Sequence, residues 1–414
     1  MKYADIQKLR DAGLVTDEQR QKIIEHFQLK EDGGKFLAIV SIIGAVLIAA
    51  GITLLIAAHW NEIPRGVKIA TGLLLLLGFH AGGWWLREGG GDASSPVSSA
   101  TGALRVQGKY RKTGEALHLV GSCLFLANIA LIGQIYNIVS RPPNAFLLWW
   151  IGIAALPWLL RSKVQHILLL IAFGIWFGFE VNERGGLIYC ESQRQILLYA
   201  LLGLVYLGAG YCLRRTPFSE FAGVTEKLGL LAFLIFFYPL TWKPFFGWEN
   251  SEIRRWFFPA LAALALLLLA AGLRNLRALT RQWRWTWFAA LLGMAVFMAT
   301  VWFGLWQTGH SGGRYGYWEE SWNYLAGTLA LFIFCLLQIQ VGLQERSPFL
   351  VNLGVTFIAF DIIAAYCDLF GSMARTGVMF LISGIFLIVF GVYLEKKRRT
   401  LMKQIKSQTA EIKP

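Results

Sequence analysis

The chain has 414 residues, of which 56% are hydrophobic and only 15% charged, with a mean hydropathy of +0.51. A soluble domain of ordinary composition would be about a quarter charged, so a soluble globular architecture is excluded for most of the length. The net charge of +14 indicates no nucleic-acid partner, because the basic residues collect in short loops between apolar stretches, as the cytoplasmic loops of membrane proteins do.

The head, residues 1–35, is polar and predicts two short amphipathic helices. Ile6 and Leu9 share a face and Gly13 ends the first helix. Thr16-Asp17-Glu18-Gln19 has the form of a capping box, in which the threonine hydroxyl and the glutamine side chain satisfy each other's backbone amides. Ile23, Ile24 and Phe27 then form an apolar stripe. The head lacks a basic segment followed by a short apolar core, so no cleavable signal peptide is expected. A helical hairpin of this kind can rest on a membrane surface or engage a partner.

Twelve apolar stretches follow, near 36–58, 65–86, 114–136, 144–160, 164–182, 196–213, 225–242, 257–273, 285–306, 322–343, 348–370 and 374–394. At about 1.5 Å per residue, 20 residues cover about 30 Å, the thickness of the hydrocarbon layer. The expected fold is an all-α polytopic transmembrane bundle of about twelve spans. Its parts are the cytoplasmic head (1–35), the first two spans (36–86), a flexible basic linker (87–113), the main bundle (114–394) and a basic tail (395–414). With both ends inside, the inner segments carry 29 of the 39 Lys and Arg and the outer loops 10. That bias predicts an even number of spans with cytoplasmic termini, as in a bacterial inner membrane.

The linker opens with Gly89-Gly90-Gly91-Asp92 and continues to Ser99 as Gly/Ser-rich coil. Arg105, Lys109, Arg111 and Lys112 follow, and the tail carries Lys396, Lys397, Arg398 and Arg399. Both clusters suit anionic lipid, at about 1 kcal/mol per basic residue near the surface. Gly44/Gly51 and Gly384/Gly391 are spaced seven apart, so each pair lies on one helix face and predicts close packing. Trp283, Trp285 and Trp287 predict an inner-leaflet aromatic belt. The outer stretches Trp242-Lys243-Pro244-Phe245-Phe246-Gly247-Trp248 and His310–Glu320 are rich in interfacial aromatics.

Three segments carry a resemblance. They are KLRDAGLVTDEQ in the head, AAHWNEIPRGVKI from Ala57 to Ile69, and GEALHLVGSCLFLANIALIGQIYNI from Gly114 to Ile138. With NLGVTFIAFDIIAAYCDLFG near the C-terminus, they resemble the bacterial predicted membrane proteins grouped as the domain of unknown function 2157 family. The family pattern in the first outer loop is closer to ANWD, where this chain has His59-Trp60-Asn61-Glu62. The resemblance implies a multi-pass bacterial protein without assigned activity. It also implies association with a membrane partner or a small extracytoplasmic domain.

Polar groups inside hydrocarbon are costly and mark sites of interest. Glu115, His118 and Ser122 fall on one face of the third stretch, with Asn128 and Gln134 deeper along it. A histidine beside a carboxylate can shuttle protons. Asp361 lies about 20 Å from the inner edge of its stretch and Asn128 about 21 Å from its own, so the two can meet if those helices touch. Asp368, seven residues after Asp361, shares its face and extends a stepped path outward. The candidate intramembrane sites are therefore Asp361, Asn128, His118, Asp368, Gln134 and Glu115.

The five cysteines form no CxxC, and the chain contains no GxxxxGK[ST], HExxH or GxSxG. No enzyme, cofactor or metal site is expected. The sequence supports a non-enzymatic component of a membrane complex, with a secondary transporter or proton-coupled permease using Asp361 as the alternative.

Overall fold

A computed structural model describes residue 16, residues 18–19, 62–89, 96–98, 104–106, 111–190, 194–242, 256–304 and 314–370, and parts of 384–399. They fall in two compact units, Met1–Thr71 and Gly72–Pro414. In the first unit the capping box is formed as its residues predict. The Thr16 amide donates to Gln19 Oε1 at 3.1 Å, and the Gln19 amide donates to Thr16 Oγ1 at 3.4 Å. The first apolar stretch, 36–58, lies outside the described residues, as do Gly44 and Gly51.

Eleven α-helices are described: α1 (Arg65–Trp84), α2 (Arg111–Ile135), α3 (Pro142–Ile153), α4 (Leu156–Leu160), α5 (Lys163–Asn182), α6 (Gln195–Leu213), α7 (Ser219–Phe237), α8 (Phe257–Gly272), α9 (Arg281–Trp302), α10 (Arg314–Gln344) and α11 (Pro348–Phe370). Among the described residues, nine stretches are helical, long and apolar enough to cross a membrane, and Pro348–Ala364 adds a shorter apolar helix. The chain is an all-α polytopic bundle. The fourth apolar stretch is split into α3 and α4 at Ala154–Ala155, with Pro157 in the first turn of α4. A proline there cannot donate to the ladder, and its ring crowds the carbonyl four residues back.

The linker holds more order than its composition predicts. A π-helical turn, Trp85–Gly89, extends α1. Two short strands, β1 (Pro96–Ser98) and β2 (Leu104–Val106), pair antiparallel with Val97 opposite Arg105.

Turns between spans are tight. At Asn137, Arg161 and Arg346 the backbone is left-handed, with φ of 52°, 46° and 52°. Each residue closes a helix end by the same bond pattern. The amide of the next residue donates five positions back, Ile138 to Gly133, Ser162 to Pro157 and Ser347 to Gly342, at 2.9, 3.2 and 2.8 Å. These are Schellman caps, which satisfy carbonyls left over at a helix end and reverse the chain in few residues. The next helix starts at once: the Ser162 hydroxyl accepts from the Gln165 amide at the N-terminus of α5.

The centre of the bundle is α6. It packs against α7 and α8 most extensively, and also against α5 and α9. Glycine explains the closeness. A methyl group on Gly203 would lie 2.8 Å from the Gly229 carbonyl of α7, and one on Gly229 would lie 2.7 Å from the Gly203 carbonyl. Gly210 approaches Ala222 and Glu226 of α7, while Gly208 approaches Leu268 and Leu269 of α8. In lipid the hydrophobic effect does not separate helix from solvent, so backbone approach and dispersion hold such helices together. Gly384 and Gly391 meet nothing within 4 Å among the described residues. The tryptophan belt also needs correction. Trp285 is exposed, but Trp287 is buried in the core and donates its Nε1–H to the Tyr211 hydroxyl at 3.0 Å.

Candidate functional site

The antiparallel pair α1 and α2 meets over glycine. Gly83 and Gly114 sit backbone to backbone near one end of the pair, where a methyl on Gly83 would come within 2.9 Å of the Gly114 carbonyl. That approach brings two histidines together. His80 Nδ1 lies 3.1 Å from His118 Nδ1, with ring centroids 5.4 Å apart. The seating is reciprocal. His80 rests over Gly121 of α2 and His118 over Gly83 of α1, so each ring occupies space that a side chain would otherwise fill.

Further polar contacts surround the pair. The Ser122 hydroxyl, fully buried, is 2.9 Å from Gln165 Oε1 of α5 and 3.0 Å from the His118 carbonyl. Trp149 of α3 donates its indole N–H to the Ser122 carbonyl at 2.8 Å. Deeper along α2, the Asn128 amide donates to the Gly72 carbonyl at 3.1 Å and to the Leu124 carbonyl at 2.9 Å. Beyond Gly83, the Arg87 guanidinium donates to the Leu160 carbonyl closing α4. One step along α5, His166 Nε2 lies 2.8 Å from the Thr225 hydroxyl of α7.

The residues singled out from sequence do not form one cluster. His118 is buried and paired with His80, a residue the sequence reading passed over; Glu115 is half-buried one turn before it. Asn128 spends its amide on Gly72 and Leu124 rather than on Asp361. Gln134 is exposed. Asp368 lies in α11, outside the described side chains. Asp361 is 1% exposed, on the face of α11 that also carries Val351, Gly354 and Ile358. Its Oδ1 has no hydrogen-bond partner among the described residues. It lies near Cys335 of α10, whose pairing with α11 brings Gly354 against the Cys335 carbonyl.

Two charged clusters at the helix ends also escaped the sequence reading. On one side Arg141 donates to both oxygens of Glu180 at 3.0 Å, and Glu180 also accepts the Leu187 amide at 2.7 Å. On the other, Arg214 at the end of α6 bridges Glu226 of α7 and Glu345 after α10. Burial alone would lower the Arg214 guanidinium, but the hydrogen bonds and charges of the two carboxylates outweigh it and hold it above its ordinary value. An arginine directly after an apolar run and two glutamates elsewhere were visible as residues; nothing in their spacing showed that they meet. His80 carried a better signal, an intramembrane histidine within the glycine-rich run Gly78-Phe79-His80-Ala81-Gly82-Gly83.

Among the described residues, no three His, Cys, Asp or Glu side chains come together as a metal site. Residues 7–166 match the model of a family described as Predicted membrane protein (DUF2157), the family whose segments the sequence resembles. The His80–His118 contact, its glycine seats, and the Ser122, Gln165, Trp149, Asn128 and Arg87 contacts all fall inside that stretch. No curated protein and no solved structure matches the chain.

Proposed function

We propose that this membrane protein is a non-enzymatic, multi-pass component of a membrane assembly. The observation that carries the reading is how its intramembrane polar groups are spent. His80 with His118, Ser122 with Gln165, Asn128 with Gly72 and Trp149 with Ser122 each join one helix to another. A catalytic centre needs groups converging on a place where a reacting atom can sit; these converge on one another. The region matched by the family is thereby a scaffold of cross-linked helices. The charge asymmetry of its loops supports cytoplasmic termini in a bacterial inner membrane, with the head and the basic linker and tail available to partners and anionic lipid there. The test is purification of the native protein in mild detergent, with mass spectrometry of what accompanies it. A stoichiometric companion supports the reading, and a solitary particle of single-chain mass overturns it.

A second reading, proton- or cation-coupled transport, is favoured by Asp361. A buried carboxylate whose oxygen lacks a hydrogen bond is expensive in a membrane and marks ion pathways in other membrane proteins. Its test is proton flux in proteoliposomes, where Asp361→Asn abolishes flux if the reading holds and leaves it unchanged if it does not.

A further inference from the structure

Among these intramembrane contacts, the His80–His118 contact differs in one respect: both partners can take up a proton. At 3.1 Å the two Nδ1 atoms are at hydrogen-bond distance. A neutral imidazole has one N–H and one bare nitrogen. Two facing Nδ1 atoms can therefore bond only when one carries hydrogen and the other does not. The pair holds one proton between its Nδ1 atoms. When both rings are protonated, both Nδ1 atoms become donors, the hydrogen bond between them is lost, and two cations face each other at contact.

Each ring is backed by a glycine of the facing helix. His80 is backed against Gly121 and His118 against Gly83, and a methyl at Gly121 would already lie 2.8 Å from His80 Nε2. Among the described residues, the groups hydrogen-bonded around the pair do not absorb a second positive charge. Arg87, on the π-helical turn, is a cation acting on His118. From α5 the facing side chain is neutral Gln165, reached through Ser122, while His166 is turned to Thr225 and stacked on Phe221. From α3 it is neutral Trp149. Glu115 is the acid nearest in sequence on α2, and among the described residues no carboxylate is hydrogen-bonded to either ring. By helix rise His118 lies about 8 Å from the inner end of its span and His80 about 10 Å from its own, within reach of cytoplasmic protons.

We propose that His80 and His118 form a proton-responsive latch between α1 and α2: the proton shared by the two Nδ1 atoms clamps the helices, and protonation of both rings releases them. The latch makes the packing of α1 on the bundle a function of cytoplasmic acidity. It goes beyond the scaffold role, since a scaffold needs no titratable clasp.

The test is amide hydrogen exchange of the full-length protein in phosphatidylcholine nanodiscs, at about pH 8 and about pH 4.5, on either side of the ordinary imidazole range. Rates are corrected for the intrinsic pH dependence of exchange. The expected result is a loss of protection of about tenfold or more at the acid pH over residues 72–84, with α6 and α7 unchanged; tenfold corresponds to about 1.4 kcal/mol. His80→Gln and His118→Gln keep a hydrogen-bonding side chain but cannot titrate, so the pH dependence over α1 disappears in both. Equal protection of wild-type α1 at the two pH values overturns the proposal. So does an acid-induced loss that extends equally to α6, or one that persists in both glutamine variants.

Discussion

The Arg214 guanidinium grips both oxygens of Glu226, at 2.6 and 2.7 Å, while its remaining nitrogen donates to Glu345 at 2.9 Å. One cation thus ties the end of α6 to α7 and to the turn after α10. The side chains are 27%, 14% and 11% exposed, so the cluster is shielded without being fully desolvated. Arg214→Ala leaves two acids facing each other. Breaking a buried pair costs about 3–5 kcal/mol, and partial exposure places this one near about 3 kcal/mol. Arg214→Lys recovers only part of that, because an ammonium cannot reproduce the fork that holds both oxygens of Glu226. Glu345→Gln is the mildest of the three, since it removes a surplus negative charge. Melting of the purified protein in detergent gives the ranking, and a lysine variant as stable as wild type would show that the fork geometry is unimportant.

Gly203 and Gly229 hold α6 against α7. A methyl on Gly203 would lie 2.5 Å from the Phe233 amide nitrogen, and one on Gly229 would lie 2.5 Å from that of Leu207. Backbone on both sides cannot yield by a rotamer change. Gly203→Ala and Gly229→Ala should each cost about 1–3 kcal/mol, the range for overpacking a tight interface. Gly223 and Gly293 are helical with nothing within 4 Å. Alanine at either should raise stability by about 0.5–1 kcal/mol through lost unfolded-state freedom. The four melts form one comparison, and equal effects at packed and open positions would contradict the close approach.

Asp361 offers a test of what a buried acid is kept for. Its Oδ1 lacks a partner among the described residues, so the fold gains nothing from that oxygen and bears its desolvation. Asp361→Leu should therefore stabilise the protein by about 1–3 kcal/mol of recovered desolvation and raise its melting temperature. Asp361→Asn should fold like wild type. A leucine variant that melts lower than the asparagine one would mean that the carboxylate anchors α11, and the transport reading would lose its support.

Arg161 closes α4 with a left-handed backbone, φ 46°. That conformation costs a residue with a β-carbon about 1–2 kcal/mol, and glycine adopts it freely. Arg161→Gly should stabilise the turn by about 0.5–1 kcal/mol once the greater entropy of an unfolded glycine is subtracted. Alanine should gain nothing. A glycine variant that melts below the alanine one would place the value of Arg161 in its side chain.

The spans were legible because hydrocarbon thickness and backbone hydrogen bonding leave a long apolar stretch one stable form, the helix. The stretches placed at 65–86, 164–182, 196–213 and 348–370 match α1, α5, α6 and α11 to within about two residues, the ordinary spread at helix ends. The capping box at Thr16 and Gln19 was equally legible, because all its partners lie within four residues. The linker strands were less so: three-residue pairings among Pro, Val, Ser, Leu and Arg carry little periodicity to read.

What the sequence determined by itself was therefore local: solvent, helix positions, caps, and the presence of costly polar residues such as His118, Asn128 and Asp361. Which of these meet was decided only in three dimensions. His80 and His118 are 38 residues apart, and Arg214 and Glu345 131 apart. Helix periodicity states which face a residue occupies, but not which neighbour that face will touch. In a bilayer the choice of neighbour falls to backbone approach at glycines such as Gly83, Gly114, Gly203 and Gly229, and that approach exists only once both helices are in place. The histidine pair and the Arg214 cluster were fixed by packing, and the single orphaned oxygen of Asp361 was left by it.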